Sequence, residues 1–360
     1  MRSTQRRASR SLAALLTILA MIVAACGGGE DDAATTTPPE EPAELVEVTF
    51  APTAPLPIYW PYFYIAEPLG FYEDEGIDIE FVNVQTAVQQ SLLSGRLTFS
   101  GTGLDYIPQA PTLGEDIPKW FLNVDRYLWV MVTFADSDIA SAADLRGGVI
   151  GINEPHDTLD AEFLMGAAGV PPGEYELLPV GEDRAALVQL EQGEIDAFVT
   201  AGAVSVEALR DFSDRELRII ANASAESYYN VGTMLTVPQL ENDRDLAVRF
   251  GRAVARGMVW AWENPQASGE LIYEMFPESA ENVEQAVRLI EAGNVANRAS
   301  YEARGAMELD IYQEMVDKHA ELGLIDETYD ASMLFTNELI EDMWDFDVDA
   351  EIERARNDER

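Results

Sequence analysis

The stretch that most constrains the fold runs from residue 57 to residue 81 and reads PIYWPYFYIAEPLGFYEDEGIDIEF. It joins a helical segment that ends at Gly70 to the run IDIEF, which alternates apolar and polar residues as a β-strand does. A short β-like run, Val46 to Phe50, precedes this stretch. Strand, helix and strand in quick succession form a βαβ unit, which predicts an α/β fold.

Aromatic residues occupy the loop that leaves the first strand of this unit: Tyr59, Trp60 and Tyr62. In α/β folds, ligands bind at the loops that follow the carboxyl ends of the strands. These side chains therefore either hold a flat or apolar ligand or fill the crevice between helix and sheet. The sequence leaves both interpretations open.

The amino terminus has the pattern of an export signal rather than of a folded element. A region with four arginines precedes the apolar run Leu12 to Val23, which is too short to span a bilayer. Small residues then precede the only cysteine, Cys26, in a pattern that resembles a bacterial lipobox. We predict a lipoprotein signal peptide over 1–25, lipidation of Cys26 and a flexible tether over 26–44. The alternative is an ordinary signal peptide with an incidental cysteine.

The charge balance excludes several classes of partner. The chain has 65 acidic and 23 basic residues, a formal net charge of −42, and its only lysines are Lys119 and Lys318. Such a surface repels nucleic acid and anionic lipid, so we expect no nucleic-acid partner and membrane contact only through the anchor. Acidic, lysine-poor surfaces resemble those of proteins exposed to high salt, where screening relieves self-repulsion.

A second strand-to-helix turn follows in the first predicted lobe, which we place at 45–138. The strand Leu97 to Ser100 runs into the sequence GTG, whose glycines let backbone amides approach a ligand. Thr102 and Asp105 are the candidate binding residues of this turn. A GTG sequence alone is weak evidence, and its position after a strand is what makes it a candidate.

A second α/β lobe is predicted over 139–229, because strands and helices alternate again there. Its buried strand, 149–152, leads into the loop NEPHDT, and a later strand, Ile195 to Val199, runs into Thr200. The candidate binding residues of this lobe follow its strands: Asn153, Glu154, His156, Asp157, Thr158, Thr200, Tyr228 and Tyr229.

The remainder of the chain is predicted to return to the first lobe over 230–346 and to be mainly helical. Apolar residues recur every four positions from Leu246 to Trp262, which indicates a helix face packed in the core, and Asn264-Pro265 ends it. The acidic end, 347–360, lacks the central glycine of a calcium-binding EF-hand loop, so we predict a solvated tail there.

The order of motifs resembles the NMT1/THI5-like family of ABC-transporter substrate-binding proteins. The matching segments span about residues 46 to 270: YIAEPLGFYEDEGIDIEF, SLLSGRLTFSGTGLDYI, ADLRGGVIGIN, ALVQLEQGEIDAFVT and VPQLENDRDLAVRFGRAVARGMVWAWENP. The resemblance implies a type II periplasmic-binding-protein-like fold: two doubly wound lobes joined by two hinge crossings, a ligand cleft between them, and C-terminal helices on the first lobe. It further implies a monomeric, extracytoplasmic solute-binding component that closes on a small molecule and delivers it to permease subunits.

The candidate residues restrict the ligand. Glu154, His156 and Asp157 stand in the second-lobe loop, and no lysine or arginine occurs in any predicted cleft loop. Coulomb repulsion then disfavours anions such as sulfonates, taurine or nitrate, which some members of the family bind. We expect a neutral or cationic aromatic heterocycle, such as a thiamin pyrimidine precursor or a flavin-like ring. Pyrimidine-binding relatives often carry a tryptophan where this chain has Ala54, and Trp60 is the residue that would replace it.

An enzyme is the main alternative from another class, since a fungal relative uses this fold and pyridoxal phosphate to make the pyrimidine itself. That enzyme's histidine corresponds to Trp60 here, its cysteine-rich motif is absent, and Lys119 is a poor Schiff-base candidate because it follows a proline at a strand entrance. The two histidines are far apart in the sequence and make no zinc site. We therefore expect no catalytic residue, no cofactor and no metal. A receptor-like sensor that uses the same cleft remains a third interpretation.

The charge imbalance makes a testable prediction about stability. Raising the salt concentration from about 0.1 M to about 1 M shortens the Debye length from about 10 Å to about 3 Å. Repulsion between the carboxylates should weaken accordingly, so we expect the melting temperature to rise with sodium chloride. Sucrose at equal osmolality is the control, because it does not screen charge. A melting temperature that rises as much in sucrose as in salt, or not at all in salt, contradicts the prediction.

Overall fold

The computed structural model describes residues 45–52, 57–84, 88–102, 106–113, 117–125, 129–153, 157–220 and 232–360. The signal peptide, the tether and Cys26 lie outside these ranges, so their assignment stays a prediction. No helix in the described ranges is long and apolar enough to cross a membrane.

The first sheet has five strands in the order β2-β1-β3-β10-β4. Its strands are β1 (Val46–Ala51), β2 (Ile77–Phe81), β3 (Phe99–Thr102), β4 (Lys119–Asn123) and β10 (Gly232–Leu235). β1 runs parallel to β2 and β3, with Phe50 beside Phe81 and Phe99. β10 is antiparallel to both of its neighbours. The βαβ unit predicted from residues 46–81 is therefore confirmed.

The second sheet repeats this arrangement with five strands in the order β7-β6-β8-β5-β9. Its strands are β5 (Val130–Phe134), β6 (Val149–Ile152), β7 (Glu176–Pro179), β8 (Ala197–Thr200) and β9 (Leu217–Ile220). β6 runs parallel to β7 and β8, and β5 is antiparallel to β8 and β9. The two sheets form the two predicted lobes, and the chain crosses between them after β4 and after β9.

The first crossing occurs earlier than the sequence suggested. We predicted that the first lobe continues to residue 138, but β5 belongs to the second sheet. Met131 pairs with Val199 on one side and with Ile220 on the other. The crossing therefore lies between β4 and β5, because the hydrogen-bond partners of residues 130–134 all come from later in the chain.

The helices cover the faces of these sheets. In chain order they are α1 (Pro61–Ile65), α2 (Phe71–Asp74), α3 (Val88–Leu93), α4 (Asp157–Ala167), α5 (Asp183–Gln192), α6 (Gly202–Leu209), α7 (Val237–Asn242), α8 (Arg244–Glu263), α9 (Pro265–Met275), α10 (Val283–Ala296), α11 (Arg298–Glu302), α12 (Leu309–Glu321), α13 (Ile340–Met343) and α14 (Val348–Arg356). Short 3₁₀ turns lie at Ala110–Thr112, Ala142–Leu145, Arg210–Phe212, Pro277–Ser279 and Ala331–Met333.

The long helix α8 packs against the first lobe through the apolar stripe that the sequence predicted. Phe250, Val254 and Met258 are buried in the core of this lobe with β1 and α1. Trp262, at the end of the stripe, is only partly buried and stacks on Tyr301 with ring centroids 4.7 Å apart. The helix ends at Glu263, and Asn264 caps α9 by accepting a hydrogen bond from the amide of Ala267.

Two C-terminal helices contact the second lobe as well as the first. Helix α10 packs on both α9 and α6. Arg288 on α10 pairs with Glu207 and Asp211, which lie on and just after α6. On α12, the imidazole of His319 lies 5.2 Å from the ring of Phe163 of α4, tilted by 35°, and burial lowers the pKa of this histidine. The C-terminal helices thus hold the two lobes in one compact unit.

The acidic end of the chain forms a packed helix, contrary to the solvated tail that we predicted. Glu351 of α14 is only 5% exposed, and it accepts hydrogen bonds from the indole of Trp260 and from Arg256. Ala355 is fully buried against α8. The arginine that neutralises Glu351 comes from α8, about ninety residues earlier in the chain. The sequence of the acidic segment alone therefore gave no sign that it packs against a helix.

A glycine on α8 sets the distance between this helix and the aromatic loop. A Cβ atom added at Gly257 would lie 2.3 Å from the carbonyl oxygen of Tyr62. Since that oxygen belongs to the backbone of α1, it cannot move as a flexible side chain could. The close approach therefore fixes α1, and with it the loop that carries Tyr59 and Trp60, against α8.

We predict that Gly257→Ala lowers the free energy of unfolding by about 1–2 kcal/mol, because overpacking outweighs the gain in helix propensity. Gly293→Ala on α10 is the matched control, since its Cβ would meet Val204 at an ordinary 3.4 Å. Denaturant unfolding in high salt measures both variants. Equal stability of Gly257→Ala and wild type would show that α1 and α8 do not approach as closely as described.

Candidate functional site

Polar side chains meet at the carboxyl ends of the parallel strands of the second lobe. Asn153 follows β6, and Thr200 is the last residue of β8. Both donate to Oδ1 of Asp183, the amide nitrogen Nδ2 of Asn153 at 2.8 Å and the hydroxyl of Thr200 at 2.7 Å. Asp157 accepts the backbone N–H of Asn153 at 3.0 Å. We call Asn153, Asp157, Asp183 and Thr200 the acidic corner.

The local sequence explains why two aspartates stand in this corner. β6 and β7 are neighbouring parallel strands, and the helix after each begins with an aspartate, Asp157 in α4 and Asp183 in α5. Carboxylates are favourable in the first turn of a helix, because they face its partial positive charge. Neighbouring parallel strands end at the same edge of the sheet, so their helices bring the two carboxylates to that edge.

Tyr59 reaches from the first lobe to the second beside this corner. Its hydroxyl lies 2.6 Å from the Oγ of Ser205 on α6. Burial raises the pKa of Tyr59, the Ser205 hydrogen bond lowers it, and the charge of Asp183 raises it further, with a net upward shift. The hydroxyl therefore stays protonated at neutral pH. One hydrogen bond thus joins the two lobes next to Asp183.

Trp60 and Tyr62 point into the core of the first lobe. Trp60 is only 3% exposed, and its indole N–H donates to Oδ2 of Asp125 at 3.0 Å. The hydroxyl of Tyr62 donates to the carbonyl of Val124 at 3.5 Å. Burial raises the pKa of Tyr62, and the nearby charge of Asp125 adds to this shift. Asp125, which is fully buried, follows β4 at the edge where the chain crosses to the second lobe.

The other candidate residues are distributed as follows. Thr102 ends β3 in the first sheet, where it is buried and its carbonyl accepts the indole N–H of Trp120. Thr158 is the second residue of α4 and is partly buried. Five further candidates lie outside the described residues: Asp105, Glu154, His156, Tyr228 and Tyr229. The structure brings Asn153, Asp157 and Thr200 together in one corner, with Tyr59 beside it.

Sequence reasoning missed three residues of this region. Asp183 could have been found, since it begins the helix after a parallel strand just as Asp157 does. Asp125 follows a predicted strand but was not chosen. Ser205 carries no local signal, because its segment GAVSVEAL reads as an apolar helix. Its role depends on Tyr59, 146 residues earlier in the chain.

The space around Tyr59 is small in this structure. A recess between the aromatic loop, α8 and α10 is lined by Tyr59, Tyr62, Trp262 and Tyr301, among others, and has a volume of about 20 Å³. That volume holds about one water molecule. A heterocyclic ligand therefore does not fit in this recess unless the recess widens.

The electrostatic character of the region is acidic. Asp183 receives its hydrogen bonds from the neutral donors Asn153 and Thr200, and among the residues described around it none is a lysine or arginine that contacts it. An anion placed at the corner would meet repulsion in a partly dry site. The described residues also contain no group of three or more histidine, cysteine or carboxylate side chains placed to hold a metal ion.

These observations define the class of the protein. Two open α/β lobes with the same strand order, joined by two crossings and lined by polar loops where they meet, form the fold of the periplasmic binding proteins. A family model described as NMT1/THI5 like matches residues 59–268. The chain belongs to this family, which confirms the resemblance stated from the sequence.

Solved structures share the fold. A putative periplasmic sulfonate-binding protein, SsuA, from Methylobacillus flagellatus KT is 15% identical with a TM-score of 0.60, over 83% of this chain and 94% of that one. A ligand-binding component of an ABC-type import system from Staphylococcus aureus, with zinc bound, is 13% identical with a TM-score of 0.59, over 82% and 98%. At such identities the likeness shows a common fold. No curated protein matches by sequence.

An enzyme shares the fold as well. The desulfurization enzyme DszB is 15% identical to this chain with a TM-score of 0.53, over 82% of this chain and 98% of that one. The fold by itself therefore does not distinguish a binding protein from an enzyme. That distinction has to be argued from the side chains at the cleft.

The contact between the lobes makes a testable prediction. Tyr59→Phe and Ser205→Ala each remove one side of the hydrogen bond, and each leaves the other hydroxyl without this partner. We expect a coupling energy of about 0.5–1.5 kcal/mol between the two substitutions in a double-mutant cycle. Denaturant unfolding in high salt provides the four free energies. Purely additive effects would mean that the two hydroxyl groups do not bond in solution.

Proposed function

We propose that this protein is the extracytoplasmic solute-binding component of an ABC importer. It captures a small neutral or cationic ligand, an aromatic heterocycle such as a thiamin pyrimidine precursor, and delivers it to a membrane permease. The observation that carries this proposal is the Tyr59–Ser205 contact, which joins the two lobes directly beside the acidic corner. Membership in the NMT1/THI5-like family and the likeness to importer components support it.

The mechanism follows from where these groups lie. A ligand between the lobes contacts Tyr59 from one side and the ends of β6 and β8 from the other. Because such a ligand bridges both lobes, it stabilises the closed arrangement relative to the open one. The permease then distinguishes loaded from empty protein by the arrangement of the lobes. This chemistry needs binding groups only, with no bond made or broken.

The polar groups favour a neutral or cationic ligand over an anion. A sulfonate needs several donors or positive charge. At the acidic corner, the Asn153 amide and the Thr200 hydroxyl already donate to Asp183. Asp157 and Asp183 supply negative charge instead. A sulfonate ligand, which the likeness to SsuA suggests, is therefore the alternative that the experiment below has to exclude.

A binding role also fits the hydroxyl groups at the corner better than catalysis does. Ser205 bonds to Tyr59, and Thr200 bonds to Asp183. A serine or threonine nucleophile requires a base that removes its proton. Of the two histidines, His319 lies at the contact between α12 and α4, and His156 lies outside the described residues, so the screen below also looks for a product.

The proposed location follows from the sequence. Lipidation of Cys26 would anchor the protein at the outer face of the plasma membrane, with residues 26–44 as the tether. The described residues begin at Leu45, directly after this segment. We propose a monomer that meets permease subunits only when a ligand holds the lobes together.

The experiment that tests this function is a thermal-shift screen of the chain from Ala43 in high salt. Pyrimidines, flavins, polyamines, sulfonates and nitrate form the panel, and small-angle scattering then reports whether the stabilising compound closes the lobes. We expect a heterocycle to raise the melting temperature; at one hundred times Kd, binding contributes about 2.7 kcal/mol.

Each alternative gives a different result in the same experiment. Stabilisation by sulfonate or nitrate alone would replace the ligand class and keep the binding role. Conversion of a stabilising compound into a product, seen by mass spectrometry, would replace binding by catalysis. A compound that binds without any change in scattering would contradict delivery by closure of the lobes.

A further inference from the structure

The hydrogen bonds of the acidic corner leave it rich in acceptors. Both described donors to Asp183 reach the same oxygen, Oδ1, and no described residue donates to Oδ2. A carboxylate can accept about four hydrogen bonds, so Asp183 retains capacity on the second oxygen. Asp183 is only partly buried, which leaves that capacity open to a ligand.

Asn153 adds a second acceptor. Its Nδ2 must face Asp183, because an ionised carboxylate accepts but does not donate. The amide oxygen Oδ1 of Asn153 is thereby turned away from Asp183. This oxygen is buried and has no hydrogen-bond partner among the described residues. A buried acceptor without a partner is costly, about 1–3 kcal/mol, so a ligand N–H that reaches it when the lobes rearrange gains a favourable hydrogen bond.

The first lobe supplies one aromatic side chain, Tyr59, beside these acceptors. The Tyr59 hydroxyl bonds to Ser205 on α6, the helix that begins two residues after Thr200, and the charge of Asp183 adds to the raised pKa of Tyr59. Organic cations bind well where an aromatic face and a carboxylate lie side by side. The donors that such a cation carries decide whether it also satisfies Asn153.

We propose that Asp183 is the specificity-determining residue of the cleft, and that with Asn153 it selects a small cation whose charged nitrogen carries N–H donors. Such ligands are protonated amines and amidinium-type heterocycles. A quaternary ammonium ion has the charge but no donor for Asn153 Oδ1. Neutral rings lack the positive charge that Asp183 attracts, and sulfonates are negatively charged and are repelled by it. This inference rests on the proposed solute-binding function, and it narrows the ligand to one chemical class.

A matched series of compounds tests this directly, because only the head group changes: benzylammonium, benzyltrimethylammonium, benzyl alcohol and benzenesulfonate. Calorimetry with the chain from Ala43 in high salt gives the affinities. We expect benzylammonium to bind at least tenfold more tightly than benzyltrimethylammonium or benzyl alcohol, and benzenesulfonate to bind most weakly. Equal affinity of the first three compounds, or binding by none of the four, overturns the proposal.

Asp183→Asn then tests the residue itself. We expect it to weaken benzylammonium binding at least tenfold and to change benzyl alcohol binding less than twofold. Asp136→Asn is the matched control, since Asp136 is an exposed carboxylate of the same lobe that pairs with Arg215, beyond the end of β5 that lies away from Thr200. It should leave all four affinities unchanged. Unchanged benzylammonium affinity in Asp183→Asn shows that this carboxylate does not select the ligand.

Asn153→Ala is a second variant that tests the proposal even if Asp183→Asn folds poorly. It removes Oδ1 and leaves the charge of Asp183 in place, so benzylammonium should lose more affinity than benzyltrimethylammonium. Equal losses would contradict the role of Asn153. The proposed function and this inference also fail differently. The function fails if no compound of the wider panel closes the lobes in scattering, whereas this inference fails if a neutral or anionic compound closes them without requiring Asp183.

Discussion

The backbone hydrogen bonds of β10 are the constraint on which the rest of the structure depends. β10 lies between β3 and β4, so the first sheet is incomplete until the chain has left the second lobe. β5 occupies the corresponding place in the second sheet, between β8 and β9. Each sheet therefore receives a strand directly after a crossing, and the crossings must lie at the edge where the lobes meet. Asp125 and Tyr59 stand at this edge because the strands that precede them end there.

The alternation of strand-like and helix-like segments along the sequence predicted much of this arrangement. Strands that alternate with helices can bury their faces only as a layered α/β domain, and ligand loops then follow the strand ends. Asn153, Asp157 and Thr200 could be selected in this way from their position alone. Their contacts could not, because the partner of Asn153 and Thr200 is Asp183, which begins a helix after a different strand.

Other features of the fold depend on contacts between residues far apart in the chain, which no local sequence pattern reveals. A strand buried on both faces, such as β5, has the same apolar sequence in either sheet, so only its pairing with β8 and β9 assigns it. Ser205 matters through Tyr59 in the other lobe. The helix α14 contains many charges and looks solvated, yet Glu351 is buried because Arg256 and Trp260 of α8 bond to it.

The contrast between Glu351 and Asp183 bears on function. Where a carboxylate holds helices together, an arginine neutralises it: the side chain of Glu351 is 6% exposed and pairs with Arg256, which is 12% exposed. Desolvating such a charge without a cation would be costly. Asp183, at the meeting point of the lobes, has only the neutral donors Asn153 and Thr200. Arg252 and Arg256 neutralise the largely buried carboxylates Glu75 and Glu351 around α8. Asp183 has no such partner among the described residues, so a cationic ligand, as proposed above, would supply at the cleft the charge that these arginines supply in the core.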